Sequence, residues 1–137
     1  MGFSPDSTMI ASGSDDRTIR LWNTGTGRQL RTLTGHTDTA RSVRFSPDGT
    51  MIATGGEDGT IRLWNTSTGR QLRTLTGYTG TARSVGFSPN GTMIAAGSGD
   101  GTIRLWDTTT GRKLRTLTGP IGSVWSLGFS PNGTMIA

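Results

Sequence analysis

A single imidazole, His36, precedes the hydroxyl of Thr54 and the carboxylate of Asp58. Hydroxyl, imidazole and carboxylate together could make an activated nucleophile. The surrounding residues supply no recognisable pocket and no oxyanion donors, so no catalytic residue is assigned. The stretches GGEDG (residues 55–59) and GSGDG (97–101) look superficially like phosphate or calcium loops. No helix follows them, and a calcium-binding repeat would recur about every nine residues, so they read as tight turns. With no cysteine and one histidine, thiolate sites and multi-histidine metal clusters are excluded within one chain, and neither a metal nor a cofactor is expected.

These residues sit in a chain of 137 amino acids, the length of one ordinary domain, with no linker or shift in composition to divide it. Hydrophobic residues make up 31% and glycine numbers 22, so short strands between glycine-containing turns fit better than long helices around a large core. The formal charge of +5 would favour anionic partners if the arginines converged. Instead Arg20, Arg62 and Arg104 recur in phase, as do Arg31, Arg73 and Arg115, so copying of one arginine-rich unit accounts for the excess. Scarce exposed aromatics and dispersed arginines argue against nucleic acid. No stretch reaches the roughly twenty apolar residues of a membrane span, and the start lacks the pattern of a secretory signal, so a soluble, cytoplasmic protein is the expectation. Asn65, Asn90 and Asn132 fit the glycosylation pattern, but the last two read as turn asparagines.

The copying is regular. Phe3, Phe45, Phe87 and Phe129 fall every 42 residues, and Trp22, Trp64 and Trp106 keep the same interval. A period this long belongs to stacked units that complete one another's cores. The approximate units are 3–44, 45–86 and 87–128, with a partial fourth over 129–137. Within one unit, TARSVRF (39–45) and TMIATG (50–55) are short apolar segments joined by SPDG, whose Pro47 and Asp48-Gly49 supply hairpin chemistry. The turn at Glu57–Gly59 leads into TIRLW (60–64), and the loop NTSTGR leads to QLRTL (71–75). Each unit therefore reads as a four-stranded antiparallel meander.

Gly35-His36, SVRFSPDG, IATGGEDGTIRLWN and the return to Gly77 resemble the WD40 repeat of β-propellers over essentially the whole chain. The Trp-Asp pair of that family is here Trp22-Asn23, Trp64-Asn65 and a true Trp106-Asp107, while Gly-His becomes Gly77-Tyr78 and Gly119-Pro120. The resemblance implies that His36, Thr54, Asp58 and Trp64 form a hydrogen-bonded structural tetrad. It gives the first unit a partial tetrad of Ser12, Asp16 and Trp22. The third unit keeps Asp100 and Trp106 but has Tyr78 and Ala96 at the other two places, so its chain is expected to be broken twice and its blade to be the weaker.

On this reading the chain begins just after an innermost strand, gives three outer strands and then two full sets of four. It ends with one more innermost strand, SVWSLGF (123–129), and a stub of the next. Three blades cannot close a ring, since propellers hold about four to eight. The exposed faces and the unpaired strand edge favour association with a second copy, head to tail, the C-terminal strand of one chain completing the cut blade of the next. Two copies give six blades and three give nine. Arg41 and Arg83 on innermost strands would crowd a tighter ring, which slightly favours the trimer. Residues 130–137 duplicate 4–11 and compete with them for one place, so one of the two must fray or be displaced.

Trp125 occupies the position of Arg41 and Arg83 in the 42-residue register. In the resembling family this position, and the one held by Asp15, Glu57 and Gly99, reach the face around the central channel. Arg41, Arg83, Trp125, Asp15 and Glu57 are thus the candidate partner-binding face, an aromatic among charges of the kind that forms binding hot spots. The alternative for Trp125 is packing at the junction between chains. The reading of function is a non-enzymatic, self-assembling propeller that presents this face to a protein or peptide. Its rival is a structural piece of a longer repeat protein whose one intrinsic activity is assembly.

Overall fold

Every strand here is short because every fifth or sixth residue is answered by a turn. In the computed structural model, which describes residues 1–119 and 122–137, the turns fold the chain into three four-stranded antiparallel sheets. The first holds β1 (Gly2–Phe3), β2 (Met9–Gly13), β3 (Ile19–Asn23) and β4 (Gln29–Leu33). The second holds β5 (Ala40–Phe45), β6 (Met51–Gly56), β7 (Ile61–Asn65) and β8 (Gln71–Leu75). The third holds β9 (Ala82–Phe87), β10 (Met93–Ser98), β11 (Thr102–Asp107) and β12 (Lys113–Thr118). In each sheet the strands lie side by side in chain order, as propeller blades do.

The turns are pinned by their own side chains. The Asp48 carboxylate accepts hydrogen bonds from the Ser46 hydroxyl at 2.6 Å and from the amide and hydroxyl of Thr50 at 3.0 and 2.8 Å. Gly49 follows at φ +73°, where a side chain is disfavoured. Asn90 and Asn132 accept the equivalent bonds in the later copies. GGEDG and GSGDG are turns closed by Gly59 N–H to Gly56 O and Gly101 N–H to Ser98 O, each at 3.2 Å.

Strand alternation gives each sheet two apolar faces. Ile19, Leu21 and Leu33 of the first sheet pack on Val43, Phe45, Ile52 and Trp64 of the second. The opposite face of the second, with Ile61, Leu63 and Leu75, packs on Val85, Ile94 and Trp106 of the third. Sheets approach most closely through β5 and β9. Gly55 permits this, because a Cβ there would collide with the Ala82 backbone; Gly13 stands in the same relation to Ala40, and a Cβ at Gly97 would collide with the Val124 side chain. The Val85 amide donates to Ser42 Oγ across the junction at 3.1 Å, and the Leu127 amide donates to Ser84 Oγ at 3.3 Å.

Two details of the expected strand plan are corrected. The chain does not begin clear of an innermost strand, because Gly2 and Phe3 pair with Ala11 and Ile10 and hold the inner edge of the first sheet. Nor do residues 123–129 form a regular strand. Val124 N–H bonds to Ser98 O at 2.9 Å, and Gly128 and Ala137 exchange backbone bonds at 2.8 and 3.0 Å beside a single antiparallel bridge, Phe129 to Ile136. The segment is seated on the third sheet by the same junction used earlier. It lacks a ladder because its pairing partner is limited to a few residues before Ala137.

Candidate functional site

Two places collect polar side chains: the interior of the second sheet and the inner ends of β5 and β9. In the first, Trp64 Nε1–H donates to Thr54 Oγ1 at 3.0 Å. Thr54 Oγ1 lies 2.7 Å from His36 Nε2, and His36 Nδ1 lies 2.9 Å from Asp58 Oδ2. The Thr37 amide donates to Asp58 Oδ2, and the Thr60 amide and hydroxyl donate to Oδ1. Burial pushes the His36 imidazole below its ordinary value, outweighing the pull of the Asp58 carboxylate, and Arg62 adds to the lowering. Burial acts to raise the Asp58 carboxyl, but the bonds from Thr37, Thr60 and His36 overcome it and leave it low. A neutral imidazole with its proton on Nδ1 satisfies every partner: Thr54 donates to Nε2 and Nδ1 donates to the carboxylate. The Thr54 hydroxyl is 0% exposed and already accepts from the indole, so it is sealed from any substrate.

The first sheet keeps one end of this chain. Trp22 Nε1–H donates to Ser12 Oγ at 3.1 Å, while Asp16 accepts from Thr18 and pairs with Arg20 in the adjoining turn. The third sheet departs from expectation in how it handles its two substitutions. The longer Tyr78 phenol reaches past the imidazole position, donates to Ala96 O and accepts from the Arg104 amide at 3.1 Å. Its ring meets Trp106 edge-on with centroids 5.6 Å apart, beneath the Arg104 guanidinium. A different network has therefore replaced the broken one, and burial raises the phenol, keeping it a donor. Pro120, the third residue in the Gly-His series, lies outside the described residues.

At the inner ends of β5 and β9, Arg41 Nε–H donates to Glu57 Oε1 at 2.7 Å and a second guanidinium N–H reaches the same oxygen. The hydrogen bond and charge of Glu57, with smaller contributions from Asp15 and Asp38, raise the Arg41 guanidinium further. Among the described residues Arg83 carries no such bond; its guanidinium carbon lies 4.1 Å from the centroid of the Trp125 ring, which is 71% exposed. Arg41, Arg83 and Trp125 line one open cavity of about 300 Å³. Among the described residues no His, Asp or Glu cluster is suited to a metal ion. No helix there is long and apolar enough to cross a membrane.

The sequence carries the matching signature in four copies: the family model for the WD domain, G-beta repeat, matches residues 1–23, 27–65, 69–107 and 111–137. The chain belongs to the WD40 family. The WD40 matches are staggered against the sheets, since 27–65 takes β4 from the first and β5 to β7 from the second. One copy of the motif thus ties two blades together. A probable serine/threonine-protein kinase, PkwA, of Thermomonospora curvata is 48% identical over 42 residues, 31% of this chain and 6% of that protein. The nuclear distribution protein nudF of Aspergillus flavus is 49% identical over 43 residues, covering 31% of this chain and 10% of its own length. The nuclear distribution protein PAC1-2 of Postia placenta is 44% identical over 34 residues, 25% of this chain and 8% of that one. The chain spans a tenth or less of these WD40 relatives, and each match extends over about one repeat.

The 42-residue register also held signals that motif reading passes over. Asp38 near Arg41 becomes Gly80 near Arg83, which adds to the Glu57-to-Gly99 change already seen in the register. Ser7 and Arg17, at φ +60° and +71°, stand where later copies place Gly49 and Gly59. Aligning the copies column by column would have exposed both.

Proposed function

We propose that this chain is a non-enzymatic protein-interaction scaffold that completes its propeller by head-to-tail association of copies. WD40 repeats serve generally as protein-interaction scaffolds, which supports a protein or peptide as partner. The partner meets the ring at Arg41, Arg83, Trp125, Asp15 and Glu57, while His36, Thr54, Asp58 and Trp64 lock the second blade. One observation carries the assembly reading. Leu33 and Leu75, covered by the following sheet, are 1% and 3% exposed, whereas the repeat-equivalent Leu117 is 39% exposed. At the other end Phe3 is exposed and Trp22 half-buried, so the two open faces have the same characters as the faces that pack internally. Covering each large apolar side chain is worth roughly 1.5–3 kcal/mol. A contact between unlike faces closes only at a fixed copy number, and crowding of Arg41 and Arg83 in a tighter ring slightly favours three copies with nine blades over two with six.

The short span of the relatives supports a second reading, in which further repeats of a longer protein cover these faces and the segment is a structural module. Native mass spectrometry of the 137-residue chain separates them. A discrete dimer or trimer supports assembly and fixes the blade number, and Leu117→Asp is then expected to dissociate it. A monomer at all concentrations overturns self-assembly and leaves the module.

A further inference from the structure

Resting on the scaffold reading and sharpening it, we propose that Arg83 and Trp125 form a seat for one carboxylate, supplied by an acidic side chain of the bound peptide. The argument begins with Arg41, whose guanidinium is satisfied within its own repeat by two bonds to Glu57. Forty-two residues later the arginine is retained as Arg83, but the acid has become Gly99 and the second nearby acid, Asp38, has become Gly80. A Cβ built on Gly99 would point at the guanidinium, 3.4 Å from Arg83 Nε and 3.6 Å from Nη2. The place that a glutamate Cβ takes in the preceding repeat is therefore within van der Waals contact of an arginine without its acid.

Arg83 finds no substitute among the described residues. It makes no ion pair there, and its Nε is buried without an acceptor. A buried guanidinium N–H without a partner is costly, and a planar fork of donors matches a carboxylate better than any other common group. Stacking on Trp125 holds the guanidinium over one face of the indole and leaves its remaining edge for in-plane hydrogen bonds. The cavity of about 300 Å³ between Arg41, Arg83 and Trp125 accommodates a carboxyethyl group, and the exposed indole offers an apolar surface to a neighbouring side chain. Glu57 is held by Arg41, so it does not serve Arg83 as an internal competitor.

The test uses the full chain and two blocked peptides, Gly-Phe-Glu-Glu-Phe-Gly and its Gln-Gln analogue, with the Arg83 Nε–H and Trp125 Nε1–H resonances as readouts. The glutamate peptide is expected to shift both saturably and the glutamine analogue to bind at least tenfold more weakly. Gly99→Glu restores the internal acid at a position whose backbone tolerates a side chain. It is expected to abolish peptide binding while raising the melting temperature, because the unpartnered N–H gains an acceptor, and Arg83→Gln is expected to abolish binding without lowering the melting temperature. Equal binding of the two peptides, or undiminished binding by Gly99→Glu, overturns the proposal. Sodium acetate that saturates the site as tightly as the peptide overturns the assignment to a peptide side chain. A parallel selection of random displayed peptides, counter-selected on Trp125→Ala, separates the two levels of inference. Selected peptides without acidic residues overturn the carboxylate seat and keep the scaffold; no selected peptide at all overturns both.

Discussion

The first and second blades are written in nearly the same words and differ in what surrounds them. Their third strands both read IRLWN and their fourth both read QLRTL. Yet Trp64 is buried against the first blade, whereas Trp22 looks out from an uncovered face and stays half-buried. The second blade adds His36 and Asp58 to the tryptophan–hydroxyl bond, and the first has the bond alone. A repeat is thus an incomplete instruction: identical strands acquire different free energies from the neighbours that cover them and from the loop that precedes them.

The tryptophans give the strongest test of that difference. Trp64→Ala is expected to cost about 3–5 kcal/mol in urea-induced unfolding, as for other fully buried aromatics, and Trp22→Ala clearly less. Equal costs would show that the free face is covered in solution. The comparison then sharpens with concentration, since association of copies should raise the cost of Trp22→Ala and leave that of Trp64→Ala unchanged.

Removing the hydroxyl at the centre of the second blade comes next. Thr54→Val keeps the shape but leaves the Trp64 N–H and His36 Nε2 unpaired, which should cost about 1–3 kcal/mol. Ser12→Ala in the first blade strands one half-buried donor and is expected to cost about 1 kcal/mol. Thermal denaturation of the two variants side by side measures the gap, and a larger loss from Ser12→Ala would break the ranking.

Acidity should separate the blades as well. The folded protein holds His36 neutral by lowering it from 6.5, so the unfolded chain binds the extra proton first. The contribution is complete above about pH 6.5 and is lost as pH falls below that value. Asp58, lowered from 3.8, extends the loss at more acid pH. Tyr78 in the third blade has no titration in this range, because burial moves the phenol upward from 10.0. The urea midpoint followed from pH 8 to 4.5 should therefore decline below 6.5 in the native sequence and flatten there in His36→Gln. An unchanged slope in the variant would remove His36 as its cause.

What the sequence made legible follows from what a repeat encodes locally. Turns at Asp48-Gly49 and Glu57–Gly59, alternation in TIRLW and the fixed 42-residue interval predicted the three meanders, because each depends on contacts within one unit. The grouping of His36, Thr54, Asp58 and Trp64 came from the family resemblance rather than from local pattern, because His36 falls in the unit before the other three. Residues 123–129 were harder, since strand propensity is satisfied only where a partner ladder exists. Tyr78 was harder still: counting a missing imidazole and a missing hydroxyl gives two breaks, whereas a phenol can reach a backbone carbonyl that motif reading ignores. The 42-residue register put Arg41, Arg83 and Trp125 in one column, but the stacking of Arg83 on Trp125 was not legible, because it depends on packing between the third sheet and the segment that follows it.

The smallest effect carries the comparison into the backbone. Ser7 and Arg17 of the first blade sit at φ +60° and +71°, while the second blade uses Gly49 and Gly59 at +73° and +74°. An L residue in this left-handed region is opposed by contact between its Cβ and the following carbonyl, at a cost of roughly 1–2 kcal/mol. Glycine avoids the contact but is more flexible when unfolded, which returns part of the gain. Ser7→Gly and Arg17→Gly are therefore each expected to stabilise by about 0.5–1 kcal/mol. The reverse change, Gly59→Arg, should destabilise the second blade by a little more, because Gly59 is buried and a Cβ there would come within 3.3 Å of Gly80 O. Thermal melts of the three variants decide the matter. Destabilisation by Ser7→Gly and Arg17→Gly would mean that the serine and arginine side chains contribute more than the strain they impose.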